Sequence, residues 1–216
     1  MVSMLKKTAV ALFALALTAA AGHSGYVRNI IVLIPDGCGT SHQAVARWFK
    51  GAPLAQDELT PGLCKTYSAN SIITGSAAAA TAFATGFKTW EQDGAVKCLG
   101  MLPDSVVFPV PERLPANMQW RPVASVLEAA RLRGMATGII ATSRISHATP
   151  AGYSCHWHDR DNDNIIMEQQ VYGNIDVVFG GGMRHLLPTS VPGGKRTDGE
   201  NLIGVLNSRG YSVIST

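Results

Sequence analysis

An α/β fold, with a mostly parallel sheet and helices on both of its faces, is the architecture this sequence predicts, and three observations carry it. Residues 30–34 (IIVLI) are a continuous apolar run of the kind that fills the interior of a parallel sheet, and 136–142 and 175–179 read as further strands. Helix-patterned segments alternate with them, the order expected of repeated strand-helix units. The chemically useful side chains fall just after such runs, at the carboxyl ends of the strands, where open α/β sheets place their sites.

The first 21 residues read as a separate piece. Lys6 and Lys7 form a basic start, residues 8–17 an apolar run and residues 18–21 (TAAA) a small-residue cleavage site. Residues 1–21 are therefore expected to be a secretory signal peptide and residues 22–216 the mature part, periplasmic or secreted. The run is short for a bilayer span, so no stable membrane anchor is expected. The formal charge of +3 includes Lys6 and Lys7, which leaves the mature part near +1. With no long Lys/Arg cluster beyond the signal, no nucleic-acid partner is expected. Cys38, Cys64, Cys98 and Cys155 lack the spacing of a CxxC zinc site, and an oxidising compartment would allow three complete pairings.

In chain order, the apolar run at 30–34 is expected as a buried parallel strand that ends in the turn Pro35-Asp36-Gly37, with a helix over 43–50 after it. Residues 51–62 hold the breakers Pro53, Pro61 and Gly62 and read as loop. Residues 63–69 alternate loosely, as a strand nearer an edge would. Thr74-Gly75 then breaks the chain before Ser76, and the small residues 77–84 form a helix that Gly86 can stop. Residues 89–121 carry four prolines and read as a long irregular excursion. Pro122 opens a helix over 123–133, with Gly134 as its stop. A strand over 136–142, a helix over 163–172, a strand over 175–179, a weaker helix over 200–208 and a last strand over 211–214 complete the reading. No repeat or low-complexity linker divides the mature chain.

This order presents Asp36, Ser76, His147, Thr149 and Arg160 toward one crevice. Ser76 at a helix start faces unpaired N–H groups and the positive end of the helix dipole, a setting for an anion or for the alkoxide of the serine itself. Taken alone it reads more readily as a helix cap than as a nucleophile. Asp36 offers an oxygen ligand suited to Mg²⁺ or to one side of Zn²⁺, and Thr149 adds a hydroxyl. Zinc beside Ser76 would stabilise its alkoxide, and the Arg160 fork could grip two phosphate oxygens.

On these residues the sequence resembles the alkaline phosphatase family. Residues 29–39 (NIIVLIPDGCG) resemble that family's first strand and metal-binding turn, residues 74–88 (TGSAAAATAFATGFK) its nucleophile helix, and residues 147–151 (HATPA) its next metal segment. Residues 175–182 (IDVVFGGG) resemble a further signature without a catalytic role. The resemblance implies a three-layer alkaline-phosphatase-like fold and a phosphoserine at Ser76. It also implies Asp36 as the carboxylate shared by magnesium and the second zinc, Thr149 as a magnesium ligand, His147 at a position that holds Asp or His in different branches, and Arg160 as the phosphate-binding arginine. Two departures stand out. The family usually has Asp directly before the serine, where it helps hold the arginine, and this chain has Gly75. The likeness also covers only the first half of a family member: the later segments with the remaining zinc ligands and magnesium's Glu have no counterpart here.

The expected function is hydrolysis of phosphate monoesters through a phosphoserine in a Zn²⁺- and Mg²⁺-dependent site, impaired in an incomplete chain, with a homodimer if full length. A related sulfatase or phosphodiesterase is the near alternative. An exported fragment that binds phosphate or metal weakly without catalysis is the alternative from another class.

Overall fold

The computed structural model describes residues 27–59, 62–91, 97–107 and 110–215. The expected signal peptide, residues 1–21, lies outside them. The chain divides into Met1–Pro35 and Asp36–Thr216.

In the first unit, residues 30–34 do not form the expected buried strand: they carry no ladder, and Ile31 and Leu33 are 83% and 85% exposed. An apolar run states a demand for burial, but a strand exists only where a neighbour completes its hydrogen bonds.

The second unit begins with the turn at Asp36 and helix α1, Thr40–Lys50. Before helix α2, Ser76–Thr85, residues 63–69 do not form the edge strand that their alternation predicts. The small residues of α2 make it a packing helix, with Ala77, Ala78, Ala80, Thr81 and Ala84 buried, and Gly86 at φ +78° ends it in the left-handed conformation that favours glycine. The excursion at 89–121 holds a short antiparallel pair, β1 (Ser105–Val106) and β2 (Glu112–Arg113), and its two ends meet where Trp90 and Trp120 stack edge to face at 5.2 Å.

Helix α3, Val126–Leu132, starts later than Pro122 predicts because Ser125 caps it. The Glu128 N–H donates to Ser125 Oγ at 3.2 Å, and the Ser125 N–H donates to Glu128 Oε2 at 2.7 Å. Strand β3, Gly138–Arg144, leads into helix α4, Ala148–Ser154, and helix α5, Asp163–Tyr172, begins where the sequence places it. Strand β4, Val177–Gly181, pairs in parallel with β3, with Gly138 opposite Val177 and a register shift before Arg144 meets Gly181. Asp176 fastens the start of the pair by accepting from the Thr137 N–H at 2.7 Å and its hydroxyl at 3.1 Å. Helix α6, Leu202–Ser208, follows, while residues 211–214 carry no strand. Among the described residues the expected parallel sheet is thus one pair, and the wider sheet is not seen.

Two hydrophobic clusters hold this unit. Ala77 of α2, Leu99, Ala148 and Ala151 of α4, Cys155 and Ile166 form one, and Ile139, Ile145, Met167, Val171, Ile175 and Leu202 the other. Helix α5 joins them, with Ile166 in the first and Met167 and Val171 in the second. Gly152 is a point of close approach between α2 and α4: a Cβ there would stand 2.7 Å from the Ala80 Cβ, so glycine lets the two helices meet at this distance. That contact brings the starts of the two helices side by side.

Candidate active site

Asp36 is the centre of the cluster. It stands in a turn completed by Gly37, whose φ of +71° lies in the left-handed region, and both of its carboxylate oxygens are engaged. Ser76 Oγ, at the first residue of α2, donates to Asp36 Oδ1 at 3.3 Å. Thr149 Oγ1, in the first turn of α4, donates to Asp36 Oδ2 at 2.7 Å. Three residues separated by up to 113 positions in the chain therefore share one carboxylate.

His147 is the N-cap residue of α4, two residues before Thr149. Arg160 Nη2 donates to His147 Nε2 at 3.1 Å, and because a guanidinium only donates, that ring nitrogen presents its lone pair. Burial, and after it the Arg160 and Arg144 guanidiniums, hold the His147 pKa below its ordinary value, against the opposing pull of Asp36 and Asp163. A neutral ring is the form that can ligate a metal. Arg160 is itself held by the backbone: its N–H donates to the Lys97 carbonyl at 3.2 Å, and Leu99 and Trp157 exchange bonds of 2.8 and 3.0 Å just before it. The five residues singled out in the sequence thus fall into two linked groups, Asp36 with Ser76 and Thr149, and His147 with Arg160.

Other contributors carry no local sequence signal. Asp163, at the start of α5, accepts from Arg144 Nε and Ser146 Oγ, each at 2.6 Å, and so braces the loop that delivers His147. Glu91 accepts from the Gly75 N–H, next to Ser76. Each lies 16 or more positions from at least one residue it supports, beyond the reach of periodicity.

The donors suit divalent cations in part. The 2.7 Å between Asp36 Oδ2 and Thr149 Oγ1 is close to the roughly 3 Å expected of neighbouring oxygens around Mg²⁺ bound at about 2.1 Å. The 3.3 Å between Ser76 Oγ and Asp36 Oδ1 matches the roughly 3.3 Å between ligands of a tetrahedral Zn²⁺ bound at about 2.0 Å. Among the described residues these donors do not by themselves close a ligand set. A separate trio of carboxylates, Glu168, Asp198 and Glu200, has oxygens within 4.8 Å of one another, but the fully buried Arg196 guanidinium bonds to all three and accounts for them.

The comparisons agree with one another. The family profile described as Alkaline phosphatase matches residues 27–216. Alkaline phosphatase 3 of Bacillus subtilis is 35% identical over 208 residues, covering 89% of this chain and 39% of that protein. Alkaline phosphatase of Schizosaccharomyces pombe is 33% identical over 198 residues, covering 86% of this chain and 34% of its own length. Among solved structures, alkaline phosphatase from the Antarctic bacterium TAB5 superposes with a TM-score of 0.70 at 30% identity, covering 88% of this chain and 48% of that one. A histidine-to-aspartate variant of the TAB5 enzyme, described with Mg bound in its M3 site, gives a TM-score of 0.69 at 28% identity. The chain spans well under half the length of these curated relatives.

Proposed function

Because the chain belongs to the alkaline phosphatase family and has an alkaline-phosphatase-like α/β fold, we propose that it acts in phosphomonoester hydrolysis with Ser76 as the nucleophile. The observation that carries this reading is the shared carboxylate, Asp36, which holds Ser76 Oγ and Thr149 Oγ1 together at the starts of two helices.

In this reading Ser76 Oγ attacks phosphorus, the ester O–P bond breaks as the Ser76 O–P bond forms, and the leaving oxygen takes a proton from water and departs as the alcohol. Asp36 orients the serine hydroxyl, whose proton passes to solvent. The N–H groups at the start of α2 that have no partner within the helix and the Arg160 fork bind the phosphoryl oxygens, with the fork turning from His147 to do so. Asp36 and Thr149 would hold Mg²⁺, while Asp36, Ser76 and His147 offer donors to Zn²⁺. When bound, such cations supply Lewis-acid stabilisation of developing charge and an activated water for release of phosphate. Phosphate monoesters are the substrates of this reading, and a homodimer is the assembly it gives a full-length form.

The test is a pre-steady-state experiment with an activated aryl phosphate, Zn²⁺ and Mg²⁺. A burst approaching one equivalent of aryl alcohol, absent in Ser76→Ala, is expected. Equal cleavage by the Ser76→Ala protein would overturn the assignment.

The reading includes export across a membrane through residues 1–21. N-terminal sequencing of exported material should begin near Gly22, and an intact Met1 would contradict it. Among the described residues no helix is long and apolar enough to cross a membrane.

A further inference from the structure

The start of α2 carries an anion of its own. Gly75 is its N-cap residue and offers no side-chain cap, and the first turn of the helix contains no acidic residue. The first helical bond runs from the Ala79 N–H to the Gly75 carbonyl at 3.0 Å, so the N–H groups that precede it have no partner within the helix. One of them is taken from outside: the Glu91 carboxylate, 16 positions along the chain, accepts from the Gly75 N–H.

The position of this carboxylate is built rather than incidental. The Glu91 backbone is anchored by its own N–H, which donates to Asn70 Oδ1 at 2.7 Å, and the Ala69 N–H donates to the Thr89 carbonyl at 3.0 Å in the same patch. Gly75 has φ −99° and ψ 179°, ordinary extended backbone that any residue adopts. A Cβ at position 75 would stand 2.8 Å from Glu91 Cδ and 2.9 Å from Oε2, so a side chain there would push the flexible end of Glu91 off the Gly75 N–H. The absence of a side chain at 75 is the condition for Glu91 to sit one residue ahead of the proposed nucleophile.

We propose that Glu91 sets the anion affinity of the Ser76 site: its carboxylate is a resident competitor for the helix start and weakens the hold on phosphate. This inference rests on the phosphoryl-binding reading given above. Two effects act in the same direction. Glu91 occupies an N–H that an incoming phosphoryl oxygen could use, and its negative charge repels a phosphate bound at the neighbouring N–H groups and Ser76 Oγ. Weak retention favours release of phosphate as the product of hydrolysis, so Glu91 tunes affinity and is not a catalytic residue.

Calorimetric titration of the full 216-residue chain with inorganic phosphate, in the presence of Mg²⁺, tests this in two independent variants. Glu91→Gln removes the charge and keeps the shape, while Gly75→Ala leaves Glu91 intact and displaces its carboxylate sterically. Each is expected to bind phosphate about three- to tenfold more tightly than the parent, with the gain shrinking at high salt. The double variant should gain no more than either single one, since both changes remove the same contact. Unchanged or weaker phosphate binding in either single variant would overturn the inference while leaving the Ser76 site in place. If parent and variants alike bind no phosphate, the phosphoryl site itself fails, and the inference falls with it.

Discussion

Asp36 does most to make a site out of scattered residues, because its two oxygens answer to two different helices. Ser76 reaches one at 3.3 Å and Thr149 the other at 2.7 Å. This much was legible in the sequence, since a carboxylate after an apolar run and a serine before an alanine-rich helix are local signals that fold into known places. Glu91 and Asp163 were not legible, because a side chain that acts across a loop leaves no periodic trace. The cysteines divide in the same way. Their spacing left three pairings open, whereas the structure has all four free, with Cys38 and Cys64 exposed and Cys98 and Cys155 buried. Burial pushes the Cys98 thiol up to about 11 and the Cys155 thiol up to about 12. A thiol reagent at pH 8 should therefore modify two cysteines quickly and two only on unfolding, because the thiolate is the reactive form. Four fast thiols, or none, in peptide mapping would contradict this arrangement.

At the scale of elements, helices were easier to read than strands for a physical reason. A helix closes its hydrogen bonds within its own segment, so Gly86 after α2 and the Ser125 and Glu128 capping box of α3 act where they stand. A strand depends on a neighbour that the sequence does not name. Thus 136–142 and 175–179 find one another, shifted by about two residues, while 30–34, 63–69 and 211–214 form no ladder. The geometry of the site also rests on an element contact, the approach of α2 to α4 at Gly152. Gly152→Val should cost about 1–3 kcal/mol through overpacking and should lower the thermal midpoint. It should also slow the Ser76 burst, since wedging the helices apart separates Ser76 from Thr149. A Gly152→Val protein with the parent's midpoint and burst rate would show that this contact does not set the site.

For the whole molecule, composition bounded the answer and motifs sharpened it. A near-neutral charge over residues 22–216 argued against nucleic acid, and the joint occurrence of four motif segments pointed to one family, whose profile matches residues 27–216. The extent of the sheet was not legible, because it depends on which strands find partners. On the proposed reading, the donors that the described residues place around Asp36 leave activation of the hydrolytic water less well supplied than attack by Ser76. Turnover of this chain is accordingly expected below the usual enzyme range of about 1–1,000 per second, with phosphate retained on the serine. The most direct measurement is to mix the chain with an activated phosphomonoester, Zn²⁺ and Mg²⁺, quench in acid, and map the phosphorylated peptide by mass spectrometry. Phosphate on Ser76, approaching one per chain, is the expected result; phosphate on Ser68 or Ser71 instead, or none at all, would contradict the assignment of Ser76 as the nucleophile.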